Sequence, residues 1–323
     1  MDIIAQMLAP QAPIKANSRD QIRAFALNLG FDACGFASAA EPIDPSGRLQ
    51  NWLRAGRHGD MKWLTSTAAT RVNVQMKLPG VRTVIVVARN YYSERPTPPP
   101  RSGRVARYAW GRDYHRVLRR PMIKLARYVD TFGDGTKCYA SIDTGPVMER
   151  AWAQRAGVAS IGKNSLGLRR DIGSWFFLAT ILTKVELEPD PPAEDLCGTC
   201  TLCIDACPTK AIIEPHMVDA RRCISYQTIE NHGDVPEELT SLHGDWVFGC
   251  DVCQEVCPWN RFAAETSANA FHPREGQANP LLLDLAEMDD ARFHNQFAGS
   301  PVRRAKRSGM QRNARIALAN RKR

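Results

Sequence analysis

A chain of 323 residues has room for two or three domains, and 44% apolar with 24% charged residues is the make-up of an ordinary soluble protein. The longest apolar run, Val84-Ile-Val-Val-Ala88, suits a buried strand and falls far short of a membrane span. The net charge of +9 sits at one end: residues 301–323 carry nine Lys/Arg and no acid, leaving 34 charges of each sign in 1–300. A second basic run has nine Lys/Arg between Arg101 and Arg127 against Asp113 alone. Such stripes suit a polyanion such as RNA, or equally a solvated, partly frayed tail. The first fifteen residues have no basic n-region and no twin arginine, so no export signal is expected.

In chain order, Ser18-Arg-Asp-Gln21 is a capping-box start for a helix ending near Gly30. Residues 31–38 read as a strand, 45–56 as a helix and 81–89 as a strand, and the proline-rich 96–103 as a stiff connection. Apolar residues at helical spacing (Val117, Ile123, Leu125, Val129) predict a long helix over 113–132 with a basic outer face. Residues 137–142 read as a strand, followed by Asp143-Thr-Gly145, with Pro146 as the first residue of a helix to about 156. After a Gly/Asn/Ser loop at 160–167, residues 174–182 form an apolar strand. Strands alternating with helices predict an α/β (or α+β) domain over 1–190. Asp143, at a strand end before a helix, is the acid to single out, although an acid there is equally a plain cap. The stretch 108–115 mixes aromatics with His115 and suits either a pocket lining or base stacking. Gly162-Lys-Asn-Ser165 is a tight loop but lacks the frame of a P-loop.

Residues 197–260 hold eight of the ten cysteines. Cys197-x2-Cys200-x2-Cys203-x3-Cys207-Pro208 has the spacing of a bacterial ferredoxin. Cys250-x2-Cys253-x3-Cys257-Pro258 is one cysteine short of it, and Cys223 can supply the missing ligand. In two-cluster ferredoxins the fourth cysteine of a run serves the other cluster. The expected ligand sets are therefore Cys197, Cys200, Cys203 and Cys257 for one [4Fe-4S] cluster, and Cys207, Cys223, Cys250 and Cys253 for the second. Structural zinc also uses C-x2-C pairs but seldom this triple run. Cys34 and Cys138 are left over as core thiols, and this cysteine usage suits a reducing cytoplasm.

Eight ordered motifs then carry a resemblance. They are Gly111-Arg-Asp-Tyr-His115, Asp143-Thr-Gly-Pro-Val-Met-Glu-Arg150, Ile161-Gly-Lys-Asn-Ser165, Gly173-Ser-Trp175, Cys207-Pro-Thr209, Ala220-Arg-Arg-Cys-Ile-Ser225, Gly249-Cys-Asp251 and Cys257-Pro-Trp-Asn260. Together, over about residues 15–320, they resemble the epoxyqueuosine reductases. The resemblance implies a cobalamin-binding α/β domain related to the reductive dehalogenases (1–190), a two-[4Fe-4S] ferredoxin-like domain (191–265) and a basic helical C-terminal segment (266–323). It implies reduction of epoxyqueuosine to queuosine in tRNA, with Asp143 as proton donor and Arg71, Asp143, Gly167, Leu178, Ser225 and Asp251 near the corrinoid. An external one-electron donor such as a flavodoxin or ferredoxin, a monomer and a cytoplasmic location complete the expectation. Opening the epoxide leaves an alkoxide, and Asp143 serves it only if burial keeps the acid protonated near neutral pH. Ala106 stands where some members of the family have a cysteine, and residues 311–320 resemble the first helix of a helical-repeat segment. A reductive dehalogenase of small molecules and a ferredoxin-type electron carrier are the competing readings.

Overall fold

The computed structural model describes residues 18–321, apart from positions 134 and 136; the start of the chain, on which the export-signal expectation rests, lies outside the described residues. Helix α1 (Ser18–Asn28) leads into strand β1 (Ala33–Ser38), and β2 (Thr83–Asn90) follows a helical excursion. Helix α2 (Tyr114–Asp130), strand β3 (Tyr139–Ser141), helix α3 (Glu149–Arg155) and strand β4 (Phe176–Thr183) complete the sheet unit. The strand order is β1-β2-β4-β3 and every pairing is antiparallel, from Thr83 opposite Thr183 to Asn90 opposite Phe176 in the central pair. The domain is therefore of the α+β form.

Both faces of the sheet are covered, which is why β2 reads as an unbroken apolar run. Phe177, Ala179 and Ile181 face the core under α1 and α2, with Ile22, Phe36, Met122 and Leu125. Phe176, Leu178 and Leu182 face the other core, with Val147, Trp152 and Ala153 beneath α3. Burial of each such large side chain contributes about 1.5–3 kcal/mol.

Helix α3 starts at Glu149, not at Pro146. Asp143 takes a left-handed φ of 59°, and the Val147 N–H bonds the Gly145 carbonyl, so a tight turn uses up residues 142–147 before the helix begins.

In the cysteine-rich part, the short helices Leu202–Asp205 and Val252–Glu255 pack on each other, and α4 (Ile224–Ile229) follows Cys223 directly. The C-terminal helix α5 (Lys306–Asn320) is neither frayed nor an appendage. Met310, Ala314 and Ala317 enter one core with Val105, Trp110, Val247, Phe248 and Leu282. Residues Arg104–Val105 also pair with Trp246–Phe248, so the expected segment 266–323 shares its core with residues 105–110 and 246–248. Part of the tail's positive charge is paired within the chain. Arg312 donates to the carbonyls of Asn231 (2.8 Å) and Gln227 (2.5 Å), Arg304 pairs with Glu230 (2.8 Å), and Arg307 pairs with Asp290 (2.6 Å).

Candidate active site and cluster sites

Asp143 projects from the turn after β3 toward the first turn of α2. Its Oδ2 accepts the Tyr114 hydroxyl at 2.5 Å and lies 3.7 Å from His115 Nε2. Asp113, the N-cap of α2, accepts the His115 backbone N–H at 3.0 Å and meets its Nδ1 at 2.7 Å. Tyr114 stacks on Phe177 of β4 with centroids 4.3 Å apart and planes 9° from parallel. Consecutive residues at one helix start thus hold the acid, and the sheet orders them.

The protonation pattern differs from the expectation of a buried, proton-bearing acid. The Asp143 side chain is 61% exposed. Partial desolvation works to raise its pKa, but the facing His115 imidazole and the hydrogen bond from Tyr114 hold the carboxyl below its usual range. At His115 desolvation lowers the pKa, yet the facing carboxylates Asp113 and Asp143 push the imidazole up to about 9. Desolvation and the Asp143 charge raise the Tyr114 hydroxyl. At neutral pH the available proton resides on His115, 3.7 Å behind Asp143.

The other expected site residues fall into two groups. Arg71 is buried, donates to Thr67 Oγ1 (2.9 Å) and to the Val147 carbonyl (3.4 Å), and lies over the Trp63 ring at 5.1 Å. Leu178 faces the same core as Val147, and Gly167 packs so close to Phe176 that an added Cβ would meet its ring at 2.8 Å. Near them Ser160 Oγ and Thr180 Oγ1 are buried without hydrogen-bond partners. These unmet hydroxyls are polar groups that an amide-bearing ligand such as a corrinoid would satisfy, whereas at Gly167 the space beside the backbone is filled by the Phe176 ring. Ser225 sits in α4, two residues past Cys223. Asp251 is buried, accepts the Arg107 N–H at 2.8 Å and faces Arg95 at 3.3 Å. Burial, offset in part by Arg107 and Arg95, pushes its carboxyl up to about 6. An open cavity of about 400 Å³ is lined by Trp63, Glu230, His232 and Arg304, and Arg304 is within electrostatic reach of Asp143.

The eight thiols form two sets. Cys197, Cys200, Cys203 and Cys257 line a single pocket. Cys223 lies within charge–charge range of Cys207 and Cys250, as does Cys253 of Cys207 and Cys223. All are free thiols. No three of the described His, Cys, Asp or Glu side chains converge as ligands of one ion, which zinc with Zn–S bonds of about 2.3 Å would require. The Lys163 N–H points at Cys197 Sγ (3.4 Å) and the Ala211 N–H at Cys207 Sγ (3.2 Å). An all-thiol donor set with N–H···S bonds fits iron–sulfur clusters. The 162–165 loop is accounted for here: Lys163 Nζ donates to the Gly198 and Cys200 carbonyls at 2.7 and 2.9 Å, clamping the first run.

Sequence reasoning left Tyr114, Asp113 and Glu149 without roles. The signal lay inside two quoted motifs, 111–115 and 143–150, but only folding brings these segments together.

An antiparallel α+β domain with a carboxylate–imidazole site, joined to two four-thiol sets, defines an iron–sulfur oxidoreductase. Residues 196–260 match the family model described as "4Fe-4S double cluster binding domain", and residues 71–144 match "Epoxyqueuosine reductase QueG, DUF1730". An epoxyqueuosine reductase of Gloeobacter violaceus is 44% identical over 304 residues, 92% of this chain and 95% of that one. One from Vibrio cholerae is 40% identical over 93% of this chain and 83% of its own. A crystal structure of epoxyqueuosine reductase with an epoxyqueuosine-modified tRNA-Tyr stem loop superposes with a TM-score of 0.84 at 31% identity, covering 93% of this chain and 80% of that one. The chain belongs to the epoxyqueuosine reductase family.

Proposed function

We propose that this chain reduces epoxyqueuosine to queuosine at the wobble position of tRNA, the last step of queuosine formation, using cobalamin and two [4Fe-4S] clusters. The observation that carries the reading is the placing of Asp143 Oδ2 against the Tyr114 hydroxyl and the His115 imidazole, within electrostatic reach of Arg304 in the wall of an open cavity. Turning the epoxide into an alkene takes two electrons and two protons and releases the oxygen as water. Cobalamin, when bound, supplies a strongly reducing cobalt centre. Arg71, Gly167, Leu178 and Ser225 are the residues that would hold it, and Asp251 would support them through Arg95 and Arg107. Cys197, Cys200, Cys203 and Cys257 would hold the outer cluster; Cys207, Cys223, Cys250 and Cys253 the one nearer Ser225.

Asp143 is ionised at rest and so relays a proton to the oxygen freed by ring opening, passing it on from a neighbour. That neighbour is His115, whose pKa near 9 keeps the imidazolium stocked at physiological pH. The alkoxide is far more basic than imidazole, so it draws the His115 proton through a carboxylate that is ionised at rest, while Tyr114 holds that carboxylate in place. An external one-electron carrier delivers the electrons one at a time, and the working form is a cytoplasmic monomer. Among the described residues no helix is long and apolar enough to cross a membrane, which accords with that location.

The test is an anaerobic assay with cobalamin, a strong reductant and tRNA from cells lacking the activity, with nucleosides analysed by mass spectrometry. Loss of one oxygen from epoxyqueuosine is expected. No conversion by protein loaded with both cofactors would overturn the assignment and return attention to small-molecule dehalogenation.

A further inference from the structure

Asp143 is held from two sides, and the reading above uses only one of them. Behind the turn, Glu149 Oε1 accepts the Asp143 backbone N–H at 2.8 Å and faces Ser141 Oγ at 3.4 Å. Ser141 Oγ in turn accepts the Gly145 N–H at 3.1 Å. Gly145 is packed so tightly that an added Cβ would collide with Ser141 Oγ and approach Tyr139 Oη at 2.7 Å. Asp143 itself is a non-glycine residue at φ 59°, a conformation that costs about 1–3 kcal/mol and persists only where its surroundings impose it. The Glu149 carboxylate is the acceptor that meets the backbone N–H of that strained residue.

We propose that Glu149 is the positioning residue of the catalytic turn: by accepting the Asp143 N–H it fixes the left-handed conformation that presents Asp143 Oδ2 to Tyr114 and His115. Without that acceptor the Asp143 N–H loses its partner, and the remaining bonds of the turn, Gly145 N–H to Ser141 Oγ and Val147 N–H to the Gly145 carbonyl, do not hold the left-handed residue directly. The turn then relaxes toward an ordinary backbone conformation and carries the carboxylate away from Tyr114 and His115. Glu149 also shares electrostatics with the acid it positions. Burial and the neighbouring Asp143 charge push its carboxyl up to about 8, with Arg150 opposing. Arg71, Tyr114 and Tyr139 are the other titratable groups that face it. The two carboxyls therefore titrate as a pair, and protonation of either one favours ionisation of the other. Glu149 touches neither substrate nor cofactor; it acts through Asp143.

The inference rests on Asp143 as the acid, so the experiment has one arm that is independent of turnover. The cluster- and cobalamin-loaded full chain is compared with Glu149→Ala, Glu149→Gln and Ser141→Ala. Hydrogen exchange is followed by mass spectrometry on the peptide spanning 140–148, and kcat and KM for epoxyqueuosine-tRNA are followed against pH. Glu149→Ala should speed exchange in the turn about tenfold, the loss of one hydrogen bond. It should also lower kcat about 100-fold, as expected for a displaced catalytic group, with little change in KM. Glu149→Gln keeps an oxygen acceptor and should restore both protection and most of kcat. Because it deletes a neighbouring negative charge, it should also move the alkaline limb of the profile to lower pH. Ser141→Ala should loosen the turn less than Glu149→Ala and serves if the alanine variant at 149 does not fold. Native protection of the turn in Glu149→Ala overturns the proposal. So does lost protection with unchanged kcat, and so does failure of Glu149→Gln to rescue. Failure of the wild-type chain to reduce epoxyqueuosine would instead strike the functional reading and leave the exchange result standing.

Discussion

Replacing His115 with Gln is the sharpest test of where the proton comes from. Glutamine keeps an N–H that can point at Asp143 but has no proton to give up. The imidazole sits 3.7 Å from Asp143 and 2.7 Å from Asp113, and the two carboxylates raise its pKa from 6.5 to about 9 despite desolvation. At about 1.36 kcal/mol per pKa unit this is roughly 3 kcal/mol of preference for the imidazolium. The side chain is 34% exposed, and solvent screening at that exposure leaves about 2 kcal/mol. That is enough to keep the reserve proton in place through the physiological range. With His115→Gln, kcat/KM for epoxyqueuosine-tRNA should fall by about 100-fold or more, the usual contribution of a positioned acid. Wild type should show an alkaline limb near pH 9 that the variant lacks, while cluster absorbance is unchanged. A variant within about threefold of wild type, or one keeping the limb, removes His115 from the proton path.

Three further outcomes follow from the same geometry. Asn313 is fully buried and donates to the carbonyls of Thr228 (2.9 Å) and Val247 (2.8 Å), so Asn313→Ala strands two acceptors. A loss of about 2–4 kcal/mol in denaturant titration is expected, and a loss below about 1 kcal/mol would contradict it. The double variant Cys197→Ala/Cys257→Ala separates the ligand assignments: with crossed runs both residues serve one cluster and half of the iron is retained, whereas with uncrossed runs both clusters are lost. His115 and Glu149 both have folded-state pKa values above their ordinary ones, so each binds its proton more tightly in the folded chain. Their stabilisation is complete below the unfolded pKa values and is lost as pH rises through about 8 for Glu149 and about 9 for His115. The anaerobic melting temperature should therefore fall from pH 6.5 to 9, and a flat or rising trend would refute the linkage.

Much of this was legible before folding. The cysteine runs pair spacing with proline stops so specifically that cluster binding follows from them alone, and Val84–Ala88 reads as a strand covered on both sides. Sheet direction was not legible, because alternating strands and helices are written alike in parallel and antiparallel arrangements. The start of α3 was misplaced because Pro146 has the right φ for a first helical residue, whereas the left-handed Asp143 and the Val147–Gly145 bond take up that stretch first. The basic tail was legible only as a charge excess. Composition counts charges but cannot say that Arg312 reaches backbone carbonyls, or that Arg304 and Arg307 meet Glu230 and Asp290. Asp143's partners were hidden by distance along the chain, since Tyr114 lies 29 residues away.

The packing of α5 bears on how the protein meets oxygen. Through Asn313 the helix ties down α4, which follows Cys223, and the strand that leads into Cys250. Both cysteines belong to the thiol set assigned above to the cluster nearer Ser225. Transient detachment of α5, a local opening costing less than global unfolding, therefore loosens the walls around that set while leaving the sheet intact. The aerobic lifetime of the inner cluster is then governed by a helix that contributes no ligand to it, and substitutions on its buried face should register first as bleaching rates in air, before any change in the melting curve.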